Sequence, residues 1–196
     1  MINKHFLEEP NLVDLSKEIY KAVVQDKLEI NTRFNLLSDD IYDAETINFI
    51  LADGLGYENL NSTDSYLNQN VTKSINTTFP SSTNVALSSI AFMRNPIEHG
   101  LIGYYMFDKS QYGLINALNW NENNKNLLLN DFFQKQNSIW QVFKENKIHA
   151  RNFQPRNLVE TPLSNFLYNV SNIIPYDDEQ NLICLLYTSD AADDSL

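Results

Sequence analysis

Asp53 and Thr83 are the two side chains in this sequence whose setting best suits them for chemistry. Asp53 ends the run TINFILAD, Thr46–Asp53, which is β-branched and nearly all apolar, and Gly54 follows it. Such a run reads as a buried central strand of a parallel sheet. A carboxylate at its carboxyl end lies where open α/β sheets place their ligand sites, and it is a good hard ligand for a divalent metal. The competing use of an Asp here is to cap the next helix or tighten the turn. The adjoining GLG is no dinucleotide fingerprint, because the third glycine would fall at Asn59.

Thr83 lies in TTFPSSTNVALSSI, Thr77–Ile90, which holds seven hydroxyl side chains. The pattern predicts a helix over 83–94, with Val85, Ala86, Ile90 and Met93 on one side and Pro96 ending it. Thr83 would open that helix, where unpaired N–H groups and the helix dipole attract an anion such as phosphate. A hydroxyl there either caps the helix, the commoner use, or attacks phosphorus. Periodicity alone does not separate Thr83 from Thr77, Thr78, Ser81 or Ser82.

The elements that must hold these residues follow an α/β pattern. Leu12, Leu15, Ile19, Tyr20, Val23 and Val24 form a helical stripe over 10–26, with Pro10 and Asn11 as start signals. YENLNSTDSYL predicts a short surface helix and VTKSINTTF a second strand. LIGYYMFD and YGLINALNW, separated by KSQ, predict a hairpin; Ser138 caps IWQVFKENK, and IHARNFQP reads as another strand. Strands alternating with helices predict an α/β layered domain with a largely parallel sheet.

INFILADGLGYENL, FPSSTNVALSSI and PIEHGLIGY together resemble the N-terminal half of the alkaline phosphatase superfamily, in its type I phosphodiesterase/nucleotide pyrophosphatase branch. That family has an apolar strand ending in Asp-Gly, a Pro-x-x-Thr whose Thr is the nucleophile, and a Pro-x-x-His-Gly after the helix. The matching residues are Asp53-Gly54, Pro80 to Thr83, and Pro96 to Gly100. The step from Thr83 to His99 matches the family's spacing, and a step from Thr78 does not. The resemblance therefore selects Thr83. It runs from about Ile47 onward, with two departures: Phe92-Met93 replaces a Thr-Gly, and Tyr104 stands where nucleotide pyrophosphatases of eukaryotic type carry a phosphate-binding Asn.

The resemblance implies a three-layer αβα domain with a largely parallel sheet, truncated, and a hydrolase acting on a small phosphate ester, phosphodiester or nucleotide. It also implies two divalent metal ions, zinc-like, one of them bound by Asp53 and Thr83, with Thr83 as the catalytic nucleophile and a phospho-threonine intermediate. The remaining ligands come from the family's C-terminal half. The three histidines do not replace them: His5 precedes the fold, His99 reads as a structural hydrogen-bonding residue, and His149 lies in a strand without a ligand-spaced partner. With two candidate ligands where a catalytic zinc site needs three, the chain as given is expected to bind metal weakly and to have negligible activity.

The acidic balance, a net charge of −11, argues against a nucleic-acid polymer or an anionic membrane as partner. No apolar run reaches a membrane span, and the N-terminus lacks a signal pattern, which predicts a cytoplasmic protein. The lone cysteine, Cys184, opens CLLYTSDAADD, a string that looks like translated sequencing-adaptor DNA. This reading makes 1–183 the N-terminal part of the domain and 184–196 a non-native tail, without which the charge is −8. If native, LICLLYT would be a short strand.

Rival readings are another member of the superfamily or a different class of protein. A sulfatase needs a Pro and Arg that SSTNVAL lacks, whereas a phosphoglycerate mutase or phosphopentomutase stays open. A non-catalytic α/β binding module would use Thr83 only as a cap and Asp53 only in a turn.

Overall fold

The structure is a computed structural model that describes residues 8–24, 30–108, 113–118 and 137–193. The chain divides into two compact units, Met1–Ile102 and Gly103–Leu196.

The first unit is built on helix α1, Leu12–Val24, and helix α4, Thr83–Phe92, which pack together. The expected start of α1 holds: Asn11 Oδ1 accepts from Val13 N at 2.8 Å and from Asp14 N at 3.3 Å, while Asn11 N donates back to Asp14 Oδ2 at 3.0 Å. This reciprocal pairing satisfies donors that every helix start leaves open. The expected apolar stripe is only part of what α1 buries, because Asp14, Ser16 and Glu18 are buried beside Val13, Tyr20, Ala22 and Val24. Each of those polar side chains has a partner, as burial requires. Asp14 binds the Arg33 guanidinium through both oxygens, Ser16 Oγ donates to Ile90 O on α4 at 2.8 Å, and Glu18 Oε2 accepts from the Tyr42 hydroxyl at 2.6 Å. Val85, Ala91, Phe92 and Leu101 complete the core.

The single surface helix expected over 57–67 is split into two short ones, α2, Tyr57–Asn61, and α3, Tyr66–Gln69, because Ser65 caps a new start by accepting from Asn68 N. Helix α4 ends at Met93, which adopts a left-handed conformation with φ 53°. Pro96 does not end α4; it opens the next turn, α5, Pro96–His99, where Asn95 and Glu98 form a capping box.

Two strand expectations fail in this unit. Thr46–Asp53 forms no strand and is largely exposed, with Phe49, Ile50 and Leu51 at 44%, 74% and 46% exposure. An apolar run becomes a central parallel strand only when neighbours hydrogen-bond both edges and helices cover both faces, and no described strand of this unit does so. Val71–Phe79 likewise forms only a bridge between Asn76 and Asn11, with Leu12 N to Asn76 O at 3.0 Å and Asn76 N to Pro10 O at 2.9 Å.

The second unit opens with the predicted hairpin. Its antiparallel strands are β1, Tyr105–Asp108, and β2, Gly113–Asn116, in register from Tyr105 opposite Asn116 to Asp108 opposite Gly113. Its expected tip and the far end at Asn119 and Trp120 lie outside the described residues. Ser138 caps helix α6, Ile139–Glu145, by accepting from Gln141 N at 3.3 Å. Strand β3, Arg151–Pro155, pairs in parallel with β4, Asn172–Tyr176, in register from Arg151 and Asn172 to Pro155 and Tyr176. The crossover carries helices α7, Arg156–Val159, and α8, Pro162–Tyr168, with Thr161 capping α8. Trp140 meets the edges of Phe143 and Tyr168 at ring separations of 6.0 and 5.8 Å, and burial pushes the Tyr168 hydroxyl up to about 12. The tract Glu179–Asp193 is a helix, α9, rather than the strand its apolar residues allow.

The architecture is thus mixed α/β, with a two-stranded antiparallel sheet and a two-stranded parallel one among the described residues. Among those residues no helix is long and apolar enough to cross a membrane.

Candidate active site

Asp53 stands at the second position of a tight turn, Ala52–Leu55, closed by Leu55 N to Ala52 O at 3.3 Å. The third position, Gly54, has φ +80°, the left-handed value that a type II turn demands there and that glycine adopts without strain. The turn leaves the Asp53 side chain exposed and free to reach outward.

Thr83 is the first residue inside α4, not its cap. Ser82 occupies the cap position, with extended φ −71° and ψ 149°, and its carbonyl accepts from Val85 N and Ala86 N, both at 3.0 Å. The Thr83 hydroxyl is therefore not spent on its own helix. It donates to Asp53 Oδ2 at 3.0 Å, which brings the two sequence-selected residues together within the first unit.

The other hydroxyls of the segment divide clearly. Thr78 Oγ1 is buried and donates to Pro80 O at 3.0 Å, and Ser88 Oγ donates to Asn84 O at 2.7 Å. Ser82 Oγ is buried with no hydrogen-bond partner among the described residues, whereas Thr77 and Ser81 are exposed. Among these hydroxyls, Thr83 is the one that directs its proton at a carboxylate.

A second hydroxyl pair sits farther along α4. Ser89 Oγ lies 2.8 Å from His99 Nε2, and both residues are fully buried. The Leu101 N–H donates to His99 Nδ1 at 3.1 Å, so Nδ1 is an acceptor and the ring proton resides on Nε2, donating to Ser89. A His in that tautomer cannot take the Ser89 proton. Burial holds its pKa down at about 4 from the usual 6.5, against the smaller opposing pull of the Glu98 carboxylate. The expected structural role of His99 thus gains a partner, Ser89, that sequence reasoning missed; the only signal was a Ser on the inner face of the preceding helix. His149 is exposed in the loop before β3, outside any strand, and His5 lies outside the described residues. Tyr104 packs its ring 5.2 Å from that of Tyr105.

Two oxygens bound to one tetrahedral zinc stand about 3.3 Å apart. The Asp53–Thr83 pair, at 3.0 Å, fits two positions of one such coordination sphere. Among the described residues no three His, Cys, Asp or Glu side chains come together, so the pair falls short of the three protein ligands a catalytic zinc needs. Comparison with protein-family models, with curated proteins and with solved structures finds no match to this chain.

Proposed function

We propose that Asp53 and Thr83 are the nucleophile side of a metal-dependent phosphohydrolase of the phosphodiesterase/nucleotide pyrophosphatase type, in the alkaline phosphatase superfamily. The observation that carries this reading is the 3.0 Å approach of the Thr83 hydroxyl to Asp53 Oδ2, made by a threonine that opens a ten-residue helix without capping it. Thr83 attacks a phosphate ester or nucleotide phosphate, and Asp53 orients the hydroxyl and faces its proton. The N-terminal end of α4 offers partial positive charge to the phosphoryl oxygens as negative charge builds. Two divalent ions, zinc by resemblance, would when bound acidify the hydroxyl and stabilise the leaving oxygen. The donors needed beyond Asp53 and Thr83 must come from outside the described residues, and the chain by itself is expected to be close to inactive.

The test uses a protein that joins this chain to the metal donors it lacks, expressed with zinc and assayed on p-nitrophenyl thymidine monophosphate. Thr83→Ala is expected to lower kcat/KM by at least about 1000-fold, while in the wild type p-nitrophenolate leaves and thymidine monophosphate stays esterified to Thr83, seen by mass spectrometry after acid quench. A Thr83→Ala enzyme that keeps its rate would end this reading. A second reading rests on the same hydrogen bond: in a non-catalytic α/β binding module the pair only ties the Asp-Gly turn to the start of α4. That reading predicts no hydrolysis with or without zinc.

A further inference from the structure

Helix α1 and the segment 32–42 enclose a cavity of about 340 Å³, lined by Glu18, Lys21, Thr32, Phe34, Asn35, Asp39 and Tyr42. The volume falls in the range that small-ligand sites occupy. Its wall contains a buried carboxylate: Glu18 is 1% exposed. Tyr42 satisfies one oxygen, donating to Oε2 at 2.6 Å. Burial, together with Glu18, pushes the Tyr42 hydroxyl up to about 12, so this donor stays protonated at every physiological pH. The other oxygen, Oε1, is equally buried and meets no hydrogen-bond donor among the described residues. A carboxylate oxygen withdrawn from water without a donor is costly to hold, and a ligand N–H removes that cost.

We propose that this cavity binds a small primary ammonium ion: a small shift of the Glu18 carboxylate opens Oε1, now closed to solvent, to the ligand N–H groups, while the alkyl portion lies against the rings of Phe34 and Tyr42. Asp39 adds a second negative charge at the rim. Lys21 already places its Nζ 5.8 Å from the centre of the Tyr42 ring, within cation-π range, and the Arg33 guanidinium lies 5.0 Å from the centre of the Phe34 ring. Because Lys21 is exposed and so engaged, it acts as a competing internal cation and not as the receptor of an anion. The site is independent of Asp53 and Thr83.

The experiment is an NMR titration of the whole chain with n-butylammonium chloride, with sodium butyrate at equal ionic strength as the anionic counterpart. The ammonium is expected to produce saturable shifts at Glu18, Phe34 and Tyr42, and butyrate none. Glu18→Gln keeps an acceptor for Tyr42 but removes the charge, and binding should weaken about tenfold. Should that variant not fold, Phe34→Leu, which removes one aromatic wall, is expected to weaken binding about threefold. Lys21→Met, which removes the competitor, should strengthen binding, a change that a purely structural cavity would not give. The proposal is overturned by an absence of saturable shifts in the wild type, by butyrate filling the cavity, or by loss of ammonium binding in Lys21→Met.

Discussion

Helix α4 carries two hydroxyls joined to ionisable partners, and the two pairs are chemical opposites. At its first turn Thr83 donates to Asp53, both side chains lie in reach of solvent, and the acceptor is a group that can take a proton. Two turns later Ser89 receives a proton from His99, both are sealed from water, and the imidazole is fixed by Leu101 N in a form that cannot act as a base toward serine. The difference teaches that a Ser–His contact of 2.8 Å is not evidence of a nucleophile until the tautomer is known. Direction of donation and access to solvent are what separate the Thr83–Asp53 pair from the Ser89–His99 pair.

The strongest way to break this contrast is acid. The unfolded chain takes up a proton at His99 near pH 6.5, but the folded chain takes it up only near pH 4. Stability from this group is complete above pH 6.5, falls as pH drops toward 4, and levels below; the loss amounts to about 3 kcal/mol. Urea unfolding measured across this range should show the slope, and His99→Gln should remove it. Next comes Ser89→Ala, which leaves the buried Nε2–H of His99 without an acceptor and is expected to cost about 2 kcal/mol, read as a lower urea midpoint at unchanged slope. Smallest is the exposed pair. Thr83→Ala is expected to cost less than about 1 kcal/mol in the same measurement, because water replaces the lost hydrogen bond. A stability loss at Thr83 equal to that at Ser89 would show that both pairs are structural.

What could be read from sequence was mostly local. Asn11 with Asp14, Ser138 with Gln141 N, and the start of α4 are set within three or four residues, so a sequence window contains both partners. A motif pattern, not periodicity, singled out Thr83 from its neighbours, and the contact with Asp53 that the structure gives it spans thirty residues. Thr46–Asp53 failed for the complementary reason: its apolar composition states what the strand needs, but pairing depends on segments that composition does not contain. Strand β4 was missed because its partner β3 lies across a two-helix crossover and Pro175 interrupts the usual strand pattern. Glu18 was passed over as one polar residue within an apolar stripe, and its hydrogen bond comes from Tyr42, in the short 3-10 helix Asp39–Asp43, twenty-four residues away, which no helical period could predict.

The uncovered stretch before the Asp-Gly turn also bears on how the molecule must be handled. Thr46–Ala52 is a seven-residue window without charge or proline, high in β-propensity, the composition of segments that stack into cross-β zippers. Glu45 and Asp53 flank it as gatekeepers, repelling like copies. The acid that faces Thr83 thus also guards solubility, and neutralising it for enzymology invites thioflavin-positive deposits in the same tube.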